Sequence, residues 1–115
     1  MTPARTAAFV TCRVDAAAAR AVVDPAVARR LCDGHFPGNP IVPGSAITGL
    51  MVDLARRLAG ADRAWTVEQA GFVAPLRAAP AIELDATAVG DDAVRVTVRQ
   101  GGRRAARGVV RFARP

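Results

Sequence analysis

The sequence predicts one α+β domain in which a central helix packs against an antiparallel sheet, and three observations carry that prediction. Ile47, Leu50, Met51, Leu54, Ala55 and Leu58 recur at helical spacing. Val94, Val96 and Val98 alternate with Arg95, Thr97 and Arg99, the period-two pattern of a sheet with one covered and one wet face. Gly90-Asp91-Asp92 and Gln100-Gly101-Gly102 punctuate the C-terminal half as turns. No linker-like shift in composition divides the 115 residues, so residues 1–115 are expected to form a single domain.

In chain order, Ala7 to Val14 is short and β-prone and reads as a first strand. Ala16 to Val23 stays open between helix and strand, because its alanines favour one and its paired valines the other. Asp24-Pro25 supplies an N-cap followed by a proline at the first helical position, which starts a brief helix through Ala28 to Leu31. The segment DGHFPGNPIVPG, from Asp33 to Gly44, carries three prolines and three glycines, so it reads as a rigid loop. The central helix follows and ends near Gly60. Strands are expected over roughly Trp65 to Val73, Ala81 to Val89, Val94 to Arg99 and Ala105 to Phe112.

Half the residues are hydrophobic, 51%, which excludes a disordered chain. No apolar run approaches the roughly 20 residues of a membrane helix, and no signal-peptide stretch opens the sequence, so a cytoplasmic protein is expected. Cys12 and Cys32 read as thiols rather than a disulfide, and neither belongs to a metal motif. All 16 basic residues are arginine and the formal charge is +6, a surface that attracts anionic partners without choosing among them. With aromatics at 4% and the arginines scattered, nucleic-acid binding is not expected.

The loop and helix sequence DGHFPGNPIVPGSAITGLMVDLA resembles the active-site loop and central helix of the FabA/FabZ-type 3-hydroxyacyl-acyl carrier protein dehydratases, whose pattern is roughly G-H-F-x-G-x-P-x-x-P-G followed by a helix. Gly34, His35, Phe36, Gly38, Pro40, Pro43 and Gly44 match it. Gly71-Phe72-Val73-Ala74-Pro75 is similar to the family's A-R-F-x-x-P segment. The resemblance implies a hotdog fold, a central helix wrapped by a curved antiparallel β-sheet. It also implies dimers joined edge to edge with active sites at the interface.

Dehydration of a 3-hydroxyacyl thioester to the trans-2-enoyl thioester needs an α-proton removed, charge on the thioester oxygen held, and the departing hydroxyl protonated. His35, the sole histidine, is suited to proton transfer near neutral pH. Gly44 opens the central helix, where free backbone N–H groups and the helix dipole favour a thioester oxygen; the resemblance makes it the oxyanion donor. Phe36 reads either as a wall of the pocket or as a core residue, and Pro43, Thr48 and Gly49 are further candidates for contact with the substrate, Gly49 by leaving room for an acyl chain.

The family's helix acid, fourteen residues after the histidine, is replaced here by Gly49. Asp53, one turn later on the same stripe, is one candidate replacement, with a solvated residue paired to Arg56 or Arg57 as its alternative. Ser45 and Thr48 are lesser hydroxyl candidates. A related hotdog subunit that brings its own carboxylate to a shared site is another route.

The resemblance thus implies a dehydratase of fatty acid or polyketide biosynthesis. Its substrate would ride on an acyl carrier protein, and the chain would work as a homodimer or as one half of a heterodimer, with no cofactor and no metal. Arg29, Arg30, Arg103 and Arg104 are candidate contacts for the acidic, phosphopantetheine-bearing carrier. A non-catalytic hotdog subunit or acyl-binding protein, and an acyl thioesterase, are the alternatives.

Overall fold

A computed structural model describes residues 8–33, 38, 40–60 and 62–114. The elements run β1 (Phe9–Val14), β2 (Ala18–Val23), α1 (Pro25–Cys32), α2 (Gly44–Ala59), β3 (Trp65–Phe72), β4 (Ile82–Val89), β5 (Ala93–Gln100) and β6 (Arg103–Phe112). The strands form one sheet in the order β1-β2-β4-β5-β6-β3, antiparallel at every pairing, with α2 across its inner face. This is the hotdog arrangement expected from the sequence.

The ambiguous segment is strand β2. Asp15 Oδ1 accepts from the N–H groups of Ala17 and Ala18, both at 3.0 Å, turning the chain tightly between β1 and β2. These two bonds hold the exposed Asp15 carboxyl below its ordinary pKa. β2 then pairs on its other side with β4, Ala21 opposite Leu84, so a ladder partner more than sixty residues away settles what local propensity left open.

Alternation places the core. Ala19, Ala21 and Val23 of β2, Ile82, Leu84 and Ala86 of β4, and Val94, Val96 and Val98 of β5 face inward. They meet Ile47, Leu50, Met51, Leu54 and Ala55 of α2. Met51 and Leu54 are fully buried, which makes the helix stripe the centre of the core. Gly108 lets α2 come close to β6: a Cβ there would stand 3.3 Å from Met51 Cε.

Asp24 caps α1 by accepting from the Ala26 N–H at 2.9 Å, with Pro25 at the first position, as the sequence predicts. β5 runs one residue at each end beyond the strand expected from its alternation, so Gln100 closes the strand instead of opening the turn.

Among the described residues, no helix is long and apolar enough to cross a membrane. Cys12 and Cys32 are free. Burial pushes the Cys32 thiol pKa up, partly offset by the charge of Arg77.

Candidate active site at the start of the central helix

Pro43, held extended at φ −64° and ψ 150°, is the N-cap of α2, and Gly44 is its first helical residue. Proline has no side chain able to cap, and no side-chain bond closes this end among the described residues. The first turn carries no acidic residue either. The Pro43 carbonyl accepts from Ala46 and Ile47 at 3.0 and 3.1 Å, which starts the helix regularly. The backbone N–H groups at the very start therefore point out of a positive helix end with no side-chain acceptor among the described residues.

An open cleft of about 270 Å³ lies at this end, lined by Ile41, Val42, Gly44, Ile47, Phe72, Val73, Ala74 and Pro75. Apart from the backbone, the lining is apolar. Phe72 and Val73 are 50% and 70% exposed, unusual for large apolar side chains on one short stretch. The Phe72 ring lies over Gly44, and a Cβ built on Gly44 would meet Phe72 Cζ at 3.7 Å, an ordinary contact.

A bulge aims that ring. Val67 pairs with Val110 and Phe72 with Ala106, so five steps along β3 match four along β6. The extra residue falls between Glu68 and Gly71, where Gln69 takes a left-handed φ of 53°. Without it the alternation would turn Phe72 to the outer face. The sequence reading had an uninterrupted strand here, and only Gly71 hints at an irregularity.

The connector 73–80 is stitched to the loop before α2. The Val42 N–H donates to the Leu76 carbonyl at 2.8 Å, and Val73 and Ala74 donate to the Ala105 carbonyl at 2.7 and 3.2 Å. Arg77 Nη1 reaches the Pro40 carbonyl at 3.4 Å. One wall of the cleft is thus fixed to β6 and the other to α2.

The remaining sequence candidates fall as follows. His35 and Phe36 lie outside the described residues. Of the others, Gly44 alone lines the cleft. Thr48 donates its hydroxyl to the Gly44 carbonyl at 3.0 Å, so it is occupied along its own helix. Asp53 Oδ1 accepts from Arg57 Nε at 3.0 Å, and the Arg57 guanidinium stacks 5.3 Å from the Phe9 ring centroid. Gly49 is exposed, with nothing among the described residues within 4 Å of where its Cβ would stand. Ile47, Phe72 and Val73 join the site without having been singled out for it.

A larger depression of about 330 Å³ on β1, β2, β4 and β5 has a different character. Asp85 there is shared by Arg20 at 2.9 Å and Arg99 at 2.8 Å, an exposed ion-pair network rather than a reactive centre. No group of three or more His, Cys, Asp or Glu side chains among the described residues is placed to hold a metal ion.

The family model described as ApeI dehydratase matches residues 11–108. No curated protein sequence matches the chain. Among solved structures, the dehydratase heterocomplex ApeI:P from Xenorhabdus doucetiae is similar at a TM-score of 0.76 and 19% identity, covering 92% of this chain and 96% of that one. An uncharacterized protein from Erwinia carotovora subsp. atroseptica follows at 0.67 and 19%, covering 91% and 94%. A sigma28-regulated virulence protein from Campylobacter jejuni is similar at 0.66 and 14%, covering 100% and 94%. At these identities the structural likenesses establish the fold.

Proposed function

The chain belongs to the ApeI-like dehydratase family, and on that premise we propose that it dehydrates a 3-hydroxyacyl thioester carried on an acyl carrier protein, as one subunit of a hotdog heterodimer. The observation that carries this reading is the uncapped start of α2 opening onto an apolar cleft. A thioester needs that pairing of N–H donors for its oxygen with apolar walls for its acyl chain.

In the proposed reaction His35 takes a proton from C2 of the substrate. The charge that develops on the thioester oxygen is held by the Gly44 N–H and the dipole of α2. The bond from C3 to its hydroxyl then breaks as a carboxylic acid protonates the leaving oxygen, releasing water and the trans-2-enoyl thioester. Proton return from imidazolium to carboxylate resets both groups.

The carboxylic acid is assigned to a second subunit. Asp53 is engaged by Arg57, and Gly49 has no side chain. The similar Xenorhabdus structure is described as a dehydratase heterocomplex, which fits a fold that works in unlike pairs. Arg29, Arg30, Arg103 and Arg104 are exposed and, among the described residues, outside every ion pair, which suits an acidic carrier protein. The cytoplasm, where fatty acid and polyketide chains are built on carriers, is the location this reading implies.

The test is complementation. The chain is incubated with a 3-hydroxyacyl carrier protein alone, and again after co-expression with a copy carrying both His35→Ala and Gly49→Glu, and loss of one water is followed by mass spectrometry in both reaction directions. The expected result is little turnover alone, turnover in the mixed dimer, and none when His35→Ala is introduced into the first chain as well. Release of free acyl acid would point to a thioesterase. Full activity of the unmixed protein, lost in Asp53→Asn, would return the acid to Asp53.

A further inference from the structure

Gln100 ends β5 and is half-buried, and all of its side-chain polar atoms are spent on one distant stretch of backbone. Its Oε1 accepts from the Arg77 N–H at 2.9 Å. Its Nε2 donates to the Arg77 carbonyl at 2.8 Å and to the Pro80 carbonyl at 2.7 Å. Such a primary amide completes the hydrogen bonding of a loop peptide as a neighbouring strand would. Next to Arg77 in the chain, Leu76 is fully buried, and its carbonyl receives the Val42 N–H at 2.8 Å. Val42 stands two residues before Gly44. A continuous line of backbone contacts therefore runs from the Gln100 amide through Arg77 and Leu76 to Val42 and the first turn of α2.

We propose that Gln100 is a positioning residue for the site at the start of α2: it fixes the connector 73–80 and, through the Leu76–Val42 bond, the place and direction of the Gly44 N–H. The inference rests on the reading of that N–H as the thioester-oxygen donor. Oxyanion donors act through placement, and displacements of about 1 Å cost on the order of a hundredfold in rate. None of these three side-chain hydrogen bonds of Gln100 goes to a residue that lines the cleft, so they act on the site through geometry.

Gln100→Glu keeps size and the Oε1 acceptor while removing both donated bonds, and it sets a carboxylate against the Arg77 and Pro80 carbonyls. Gln100→Met removes all three bonds at similar volume. Each variant is examined with 15N-labelled protein for its amide resonances, and in the active mixed dimer for kcat and KM. The expected result is displaced Val42, Leu76 and Gly44 amide signals with unmoved signals at the far end of β4, Thr87 to Val89, and a kcat lower by roughly tenfold or more at a KM within about twofold. Unmoved Val42 and Gly44 amides would overturn the inference whatever the enzyme does. So would moved amides with an unchanged kcat in a preparation that dehydrates. If the unmutated protein dehydrates nothing in any pairing, the functional reading fails, and the amide signals alone decide whether Gln100 places Gly44.

Discussion

The two ends of α2 are finished differently. At its C-terminus Gly60 takes the left-handed conformation at φ 61°, its N–H returns to the Arg56 carbonyl at 2.9 Å, and Arg56 and Arg57 sit in the last turn. These features satisfy the Arg56 carbonyl and complement the negative end of the dipole. At its N-terminus, among the described residues, no side chain caps and no acid complements the positive end, and an apolar cleft opens beside it. The short helix α1 shows that this chain can cap a helix start, since Asp24 does so with Pro25 behind it. A bare start on the central helix is thus a local choice of residues, and donors left free beside an apolar cleft are what a bound oxygen requires. On the proposed function, one end of α2 serves stability and the other binding.

The sharpest way to break that contrast is Gly44→Pro. Proline is well suited to the first helical position, and Pro43 is already in the extended conformation that a following proline demands. A Cβ at this position makes only ordinary contact with Phe72. The substitution therefore replaces one N–H by a ring methylene in a backbone that already suits proline. Dehydration in the mixed dimer should fall by about 10²–10³-fold, the usual effect of losing one oxyanion donor, with the melting temperature nearly unchanged. A large drop in melting temperature, or full activity, would mean that Gly44 is only a turn residue.

The mirror experiment acts on the other end. Gly60→Val forces a branched side chain into left-handed backbone and should cost about 1–2 kcal/mol, lowering the melting temperature by roughly 5–10 °C. Activity per folded molecule should be preserved. If thermal scans and kinetics instead show the same pattern for Gly44→Pro and Gly60→Val, the division of labour between the two ends is wrong.

Much of this contrast was legible along the chain. The helical spacing of Ile47 through Leu58, the glycine that stops the helix, and the proline and glycine that start it are all local signals, and α2 follows them. The ion pair of Asp53 with Arg57 was open to reading for the same reason, because a four-residue spacing on a helix brings side chains together. What stayed hidden depends on partners remote in sequence. Ala18–Val23 is a strand because β1 and β4 flank it. Phe72 covers Gly44 because a bulge opposite β6 resets its face. Gln100 read as a turn residue, yet its amide serves backbone at Arg77 and Pro80, 23 and 20 residues away. No periodicity announces contacts of that kind, and His35 and Phe36 lie outside the described residues.

The smallest expected effect concerns the middle of the helix, between its two ends. Gly49 has no Cβ neighbour within 4 Å among the described residues, so packing gives no reason for a glycine there, and a glycine in a helix interior is unfavourable by about 0.5–1 kcal/mol relative to alanine. Gly49→Ala should accordingly raise the melting temperature by a few degrees. Gly49→Glu should keep part of that gain, since glutamate also favours helix. It carries a second consequence that alanine cannot have: in a dimer of identical Gly49→Glu chains, each site would pair His35 of one subunit with a carboxylate of the other. Dehydration by that single-chain species, absent in Gly49→Ala, would show that the open position on α2 is where the missing acid belongs. A stabilised but inert Gly49→Glu dimer would place the acid elsewhere on the partner, and would leave the glycine as room for an acyl chain.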